Sequence, residues 1–168
     1  MDNTNDFFPT ADYKVPVTSN YMKFAQGDNT FRVLSSAIIG YEYFNTDNKP
    51  VRSEEMFEET PDIKKEGRVN HFWAFVIYNY NAKRIQILEV TQKTIMTAMK
   101  ALIDNPKWGS PKNYDICITK KGSTMQDTEY AVMPEPAMPL DSAIQTAFEA
   151  TNINLEALYS GDDPFKTE

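Results

Sequence analysis

Residues 71–80, HFWAFVIYNY, decide the fold class of this 168-residue chain. Aromatic and β-branched side chains fill the run, which is the composition of a β-strand that borders a core. Residues 81–84 have the polar character of a turn, and residues 85–91 have the composition of an antiparallel partner strand. The stretch therefore predicts a β-hairpin within a mainly β fold.

Alternation along this strand sorts its side chains between two faces. Tyr78 and Tyr80 lie on one face, and their phenol groups tolerate water, so we expect the ends of that face to meet a ligand. Trp73 belongs to the other face, although a β-bulge would switch it. The first face carries Phe72, Ala74, Val76, Tyr78 and Tyr80, and the second carries His71, Trp73, Phe75, Ile77 and Asn79.

The remaining elements predict a single small barrel. Residues 31–44 indicate a long strand that is bent or bulged near Gly40, and residues 92–104 carry apolar side chains at helical spacing. Two more strands are expected at residues 114–119 and 129–133. The result is five strands with one helix between the third and the fourth, which is the layout of the OB fold, a partly open barrel that binds oligonucleotides. Other small β-barrels with one helix share this order.

The barrel is expected between two less regular segments. Residues 1–27 contain Pro9 and Pro16 and predict an N-terminal arm, and residues 28–134 form the predicted single-stranded DNA-binding domain. Three prolines then mark a boundary. Residues 135–168 predict an acidic, mobile C-terminal tail with a short helix that Asp141 caps.

Charge is distributed unevenly along the chain. The formal net charge is -7, but residues 63–126 carry 11 basic and 4 acidic side chains. Residues 127–168 carry 1 basic and 9 acidic side chains. A basic centre between acidic flanks indicates a binder of polyanions rather than a uniformly acidic protein.

The basic centre interleaves cations with aromatic rings. Binding to single-stranded DNA without sequence preference requires both, because cations follow the phosphates and bases stack on the rings. The first strand and its following loop repeat the same aromatic-then-basic order. The candidate DNA-binding residues are Tyr41, Tyr43, Phe44, Lys49, Arg52, Lys64, Lys65, Arg68, Phe72, Trp73, Tyr78, Tyr80, Lys83, Arg84, Lys107, Trp108 and Lys112.

Other chemistries have less support in the sequence. One cysteine, Cys117, and one histidine, His71, are too few for a common zinc site or an internal disulfide. Neither a Walker-type phosphate loop nor a GxGxxG motif is present. The carboxylates of residues 54–62 suggest a nuclease metal site, but an acidic loop that competes with DNA for the basic groove explains them better. We expect no catalytic residue, no metal and no cofactor, and a cytoplasmic location.

The run from residue 71 to residue 122, HFWAFVIYNYNAKRIQILEVTQKTIMTAMKALIDNPKWGSPKNYDICITKKG, resembles the barrel core of tailed-phage single-stranded DNA-binding proteins. This group includes the T-even helix-destabilising proteins, and the resemblance covers about residues 30–133. It implies an OB fold, single-stranded DNA as the ligand, and a role in phage DNA replication, recombination or repair within the bacterial cytoplasm. The chain lacks the zinc ligands and the basic N-terminal arm of the T-even proteins, so strong cooperativity is not implied.

The C-terminal residues Asp162, Asp163, Pro164 and Phe165 resemble the acidic tip of bacterial single-stranded DNA-binding proteins, which recruits replication partners. In that motif a terminal phenylalanine fills a pocket while the aspartates lie on a basic rim. Three residues follow the phenylalanine here, which displaces the free carboxylate. We expect these four residues to bind replication or recombination proteins. The alternative is a phage adaptor or inhibitor whose ligand is another protein.

Overall fold

The computed structural model describes residues 7–10, 13, 15 and 19–166. Residues 1–6, 11, 12, 14 and 16–18 of the predicted N-terminal arm lie outside this part of the chain, as do residues 167 and 168. The strands are β1 (Gly27–Val33), β2 (Ile38–Phe44), β3 (Pro50–Ser53), β4 (Asn70–Asn79), β5 (Arg84–Val90), β6 (Asp115–Lys121) and β7 (Glu129–Pro134). The helices are α1 (Lys93–Asp104), α2 (Ser142–Ala150) and α3 (Ala157–Ser160), with a 3₁₀ turn at Pro111–Asn113.

The strands form one antiparallel sheet around β4. One edge of β4 pairs with β5, and the other edge pairs with β1 and β2, which lie end to end. β6 continues the sheet beyond β1, β7 continues it beyond β6, and β3 pairs with β2. The mainly β prediction and the helix between the hairpin and the last strand pair are confirmed. Among the described residues β5 and β7 do not pair with each other, so the sheet stays open and does not close into a barrel.

The break between β1 and β2 is where the first strand bends. Leu34 and Ser35 both donate their backbone N–H groups to the Val76 carbonyl oxygen, and the Ser35 hydroxyl accepts a hydrogen bond from Val76 N–H at 2.8 Å. A side chain thus replaces one link of the backbone ladder, as in a bulge. The predicted bend at Gly40 is therefore wrong in position.

Gly40 has a different role, because it allows a close approach of two strands. A Cβ atom at this position would lie 2.3 Å from the Ser53 carbonyl oxygen and 3.1 Å from the Phe72 ring. Only glycine fits between β3 and the Phe72 side chain.

The main core lies on the Trp73 face of β4. Phe75 and Ile77 pack there with Leu88, and α1 covers them through side chains at helical spacing. The predicted helix over residues 92–104 is confirmed within one residue. The buried members of this core are Met22, Phe31, Val33, Phe75, Ile77, Leu88, Val90, Ile95, Met96, Met99, Tyr114, Ile116 and Ile118.

A segment before β1 lies along the outer edge of β5. Tyr21 forms a parallel bridge with Ile87, Met22 N–H donates to the Ile87 carbonyl oxygen, and Ile87 N–H donates to Asn20, both at 2.9 Å. Phe24 then packs against Tyr130 of β7, with ring centroids 5.7 Å apart. The segment thus bridges the open side of the sheet.

Residues 153–166, called the C-terminal segment from here on, pack on the face of the sheet opposite the main core. Leu158 of α3 is 3% exposed and forms a second apolar cluster with Phe72, Ala74 and Ile87. Tyr159 donates a hydrogen bond from its hydroxyl to the Ile39 carbonyl oxygen. The expected mobile tail is therefore corrected for residues 153–165, because their apolar side chains pack against the sheet. Asp141 caps α2 as expected, accepting from Ala143 N–H at 2.8 Å.

Candidate nucleic-acid interface

An open groove crosses the start of β4. Two depressions of about 490 and 380 Å³ share Arg68 and Asn70, and we call them together the cationic groove. Residues from the loop before β4, from β4 itself and from α1 form its walls. They are Phe44, Asn48, Lys64, Glu66, Gly67, Arg68, Val69, Asn70, His71, Trp73, Thr91, Lys93, Met96, Thr97 and Lys100.

Trp73 lies at one end of the cationic groove. Its side chain is half-buried, since one part packs against the core and another part borders the groove. Its cross-strand partner on β2, Ile39, shares its face and is 54% exposed. Next along the same face, Tyr41 and His71 lie with ring centroids 5.1 Å apart. The result is a row of planar and apolar side chains beside the groove, which is a surface on which unpaired bases can stack.

The cations of the groove come from two separate parts of the chain. Lys64 and Arg68 belong to the loop before β4, and Lys93 and Lys100 belong to α1. All four are exposed. Lys64 donates to the Asn48 amide oxygen at 2.9 Å, and Lys100 forms an exposed ion pair with Asp104. Exposed pairs of this kind are weak, so these ammonium groups can transfer to a phosphate at little cost.

The balance of charge along the groove favours an anionic ligand. Four of its lining side chains are cationic, and Glu66 is the acidic one among the lining residues. Glu66 belongs to the turn before β4 and has a backbone φ of 62°. A row of cations beside exposed planar rings can hold a flexible polyanion through its phosphates and its bases together.

The sequence assigned the two ends of one β4 face to DNA, and the end at Phe72 is covered. Phe72 is 0% exposed, because Leu158 and Tyr159 of the C-terminal segment cover it. Tyr78 and Tyr80 do lie together, with ring centroids 5.1 Å apart and edge-to-face. The Tyr80 hydroxyl donates to Asp115 at 3.0 Å, and burial, together with this hydrogen bond, raises the pKa of Tyr80 to about 12. Phe72 is therefore not a stacking platform in this structure, and Tyr80 has a structural partner.

Arg52 is also committed within the protein. It donates to Glu42 at 3.2 Å and to Glu89 at 2.7 Å, and its guanidinium lies 5.9 Å from the centre of the Phe72 ring. Glu42 is 3% exposed. Burial, followed by the hydrogen bond and negative charge of Glu89, raises the pKa of Glu42 to about 8, against the opposing effect of Arg52. This acid pair with its arginine forms a partly buried polar cluster beside the C-terminal segment.

The other predicted residues are scattered. Of the first strand, Phe44 lines the groove, and Tyr41 contacts His71, which also lines it. Tyr43 is buried and donates its hydroxyl to Asp62 at 2.6 Å. Lys49 lies on the opposite side, in a depression it shares with the C-terminal segment. Lys65 and Lys107 are exposed but do not line the groove.

The end of the hairpin lies away from the groove. Lys83 occupies the β4–β5 turn with a φ of 56°, and Arg84 donates to the Asn20 side chain at 3.0 Å.

Trp108 packs edge-to-face on Tyr114 at 5.4 Å and belongs to the core. Lys112 lies at the rim of a pocket beyond Trp73. The structure thus brings together Phe44, Lys64, Arg68 and Trp73, with Tyr41 and Lys112 adjacent.

The four predicted partner-binding residues are part of the docked C-terminal segment. Pro164 is buried and accepts a hydrogen bond from Asn154 N–H at 2.8 Å. Phe165 packs near Tyr21, with ring centroids 6.4 Å apart. Asp162 and Asp163 are exposed and line a depression with Arg52. Phe165 therefore already has an intramolecular binding surface.

Two groove cations, Lys93 and Lys100, were missing from the sequence-based set. They lie seven residues apart on α1, and Met96 and Thr97 lie between them on the same helical face. This spacing was visible in the sequence. The location of that face beside Trp73 was not, because it depends on how α1 packs against the sheet.

Two absences concern only the residues that the structure describes. No group of three or more His, Cys, Asp or Glu side chains in this part of the chain is arranged to hold a metal ion. None of its helices combines the length and apolar character needed to cross a membrane.

Comparisons with protein-family models, with curated proteins and with solved structures gave no match to this chain.

Proposed function

We propose that the chain binds single-stranded DNA, without sequence preference, through the cationic groove. The observation that carries the proposal is the position of Trp73, a half-buried indole at the end of a groove whose walls carry Lys64, Arg68, Lys93 and Lys100. Backbone phosphates would contact the cations, and bases would stack along the Trp73 face. The role in DNA replication, recombination or repair, in a phage setting, belongs to the same proposal.

The strand pairing supports this proposal. With β1 and β2 taken as one bent strand, the pairing order β5, β4, β1–β2, β6, β7 and the helix between β5 and β6 match an OB barrel that is open between β5 and β7. The segment around Tyr21 lies at that opening. We interpret the fold as an opened OB barrel on this basis.

The chemistry of the groove favours single strands over duplex DNA. Trp73 lies at the side of a depression and not on a protruding helix, so it contacts base faces only when those faces are unstacked from their neighbours. In a duplex the base faces are covered by adjacent base pairs. Stacking on a ring and phosphate contacts do not distinguish the four bases, so we expect little sequence preference.

The test is a binding titration with fluorescent oligo-dT and with a duplex of the same length, each at two salt concentrations. We expect binding to oligo-dT that weakens as salt rises, because bound phosphates displace counterions, and weaker binding to the duplex. Equal affinity for both nucleic acids would refute single-strand selectivity. Absence of salt-sensitive binding would favour the alternative of a protein-binding adaptor or inhibitor.

A further inference from the structure

A separate pocket of about 270 Å³ lies beyond Trp73, at the end of the cationic groove. The break between β1 and β2 forms one wall, α1 forms another, and the 3₁₀ turn closes the end. Trp73 lines both this pocket and the groove, so the two cavities meet at its ring. We call this cavity the end pocket; its lining residues are Val33, Ser35, Ser36, Ala37, Trp73, Phe75, Met99, Ile103, Ser110, Pro111 and Lys112.

The polar groups of the end pocket come from two of its walls. Trp73, Phe75, Met99 and Ile103 provide an apolar interior, whereas three serines and Lys112 come from the strand break and the 3₁₀ turn. An aromatic ring with an attached anion has the same one-sided distribution of polarity. Pockets for small molecules run from roughly 300 to 1,000 Å³, so this cavity suits one ring system rather than a larger ligand.

The Lys112 backbone is held in place from behind. Its carbonyl oxygen accepts from Arg32 at 3.2 Å, and its N–H donates to the Ser110 hydroxyl at 3.3 Å. Arg32 is itself 1% exposed and paired with Asp115 at 2.6 Å. The Lys112 ammonium contacts the Ser36 hydroxyl at 3.3 Å, which is a long hydrogen bond that a phosphate oxygen can replace.

We propose that the end pocket takes one unstacked nucleobase of the bound strand, with the adjoining phosphate on Lys112. This inference rests on the proposed function, since the strand reaches the pocket from the cationic groove past Trp73. A base in this pocket contacts Trp73, Phe75 and Met99, whereas a base outside it stacks on one ring. Removing the enclosed base therefore eliminates more contacts with the protein. One position of the bound strand is therefore expected to contribute more to affinity than the rest.

The experiment is an abasic scan of the shortest oligo-dT that keeps full affinity, so that the phosphate contacts hold one register. Each oligonucleotide carries a single abasic residue at a different position. The wild-type protein is compared with Ala37→Trp, which fills the pocket mouth from an exposed residue, and with Ala131→Trp, an exposed alanine on β7 outside the pocket. Circular dichroism confirms the fold of each variant.

For the wild-type protein and for Ala131→Trp, we expect an abasic residue at one position to lower affinity by at least about fivefold, which is a step in the profile. For Ala37→Trp, we expect this step to be absent. A flat profile at full wild-type affinity would overturn the end pocket and leave the proposed function standing. A step that persists in Ala37→Trp would place the enclosed base elsewhere and overturn the inference. Absence of any oligo-dT binding by the wild-type protein would overturn both proposals.

Discussion

Phe72 and Trp73 are neighbours on β4, yet they border different surfaces of the sheet. Phe72 is fully buried beneath Leu158 and Tyr159 of the C-terminal segment, whereas Trp73 is half-buried and borders the cationic groove. The alternation of a β-strand produces this division. It separates a surface that the C-terminal segment covers from the face that packs the main core and, at the start of β4, borders the cationic groove.

The two faces can be tested with matched aromatic substitutions on one strand. Trp73→Leu keeps an apolar side chain against the core but removes the stacking ring, so we expect affinity for oligo-dT to fall by about 5- to 100-fold. Tyr78→Leu removes a half-buried ring from the other face and should leave affinity within about twofold of wild type. Fluorescence anisotropy of the folded variants measures both values. Equal losses would contradict the assignment of the groove face.

The groove cations can be tested through the salt dependence of binding. Lys93→Ala with Lys100→Ala removes two predicted phosphate contacts, so the slope of log affinity against log salt should become shallower by about 1.4. The control is Lys83→Ala with Lys121→Ala, which removes the same charge at the other end of the sheet, where the hairpin turn and the end of β6 lie. An equal change in slope for the control pair would show that net charge, and not the groove, determines binding.

Much of the fold was predictable from local patterns, and the rest depended on long-range packing. The β4–β5 hairpin and α1 follow from composition and periodicity, which act over a few residues. The sequence predicted the bend of the first strand near Gly40, whereas the strand breaks at Ser35. The Ser35 hydroxyl accepts its hydrogen bond from Val76, 41 residues away, so local patterns did not indicate this position.

The site was predicted less completely than the fold for the same reason. Trp73, Lys64 and Arg68 were in the predicted set, and the structure brings them together. The sequence included Phe72 among the DNA-binding residues because it shares a face with the phenol groups of Tyr78 and Tyr80, which resemble ligand contacts. The cover over Phe72 was not predictable, because it comes from residues more than 80 positions later. A mobile tail was expected because the segment is acidic. That expectation gave too little weight to the apolar side chains of Leu155, Leu158 and Phe165, which pack on the sheet.

Docking of the C-terminal segment predicts a stability effect. Leu158→Ala leaves a cavity over Phe72, Ala74 and Ile87, so the free energy of unfolding should fall by about 2–5 kcal/mol in urea denaturation. Ile144→Ala on α2 is the control, because this helix has no buried residue, and we expect a loss below about 1 kcal/mol. A Leu158→Ala variant as stable as wild type would show that the segment does not pack on the sheet.

The buried acid pair predicts that stability depends on pH. Glu42 has a pKa of about 8 in the folded protein, above the ordinary value of 4.5. Between these two pH values the folded protein binds a proton that the unfolded chain has released. The contribution of this proton to the free energy of unfolding is therefore complete below about pH 4.5 and is lost as pH rises through 8. The slope is at most about 1.4 kcal/mol per pH unit, the limit for one proton. Urea denaturation across pH 5–9 measures it, and Glu42→Gln should flatten this part of the curve. An unchanged slope in Glu42→Gln would assign the dependence to other groups.

The central claim, that single-stranded DNA lies in the cationic groove against Trp73, is tested most directly by photo-cross-linking. An oligo-dT carrying 5-iododeoxyuridine is irradiated with the wild-type protein, and mass spectrometry of the tryptic peptide from residue 69 to residue 83 localises the adduct. That peptide contains residues from both faces of β4, so its fragment ions distinguish them. We predict adducts at His71 or Trp73, competed away by unlabelled oligo-dT. Adducts confined to Tyr78 or Tyr80 would contradict the account and place the DNA on the opposite face.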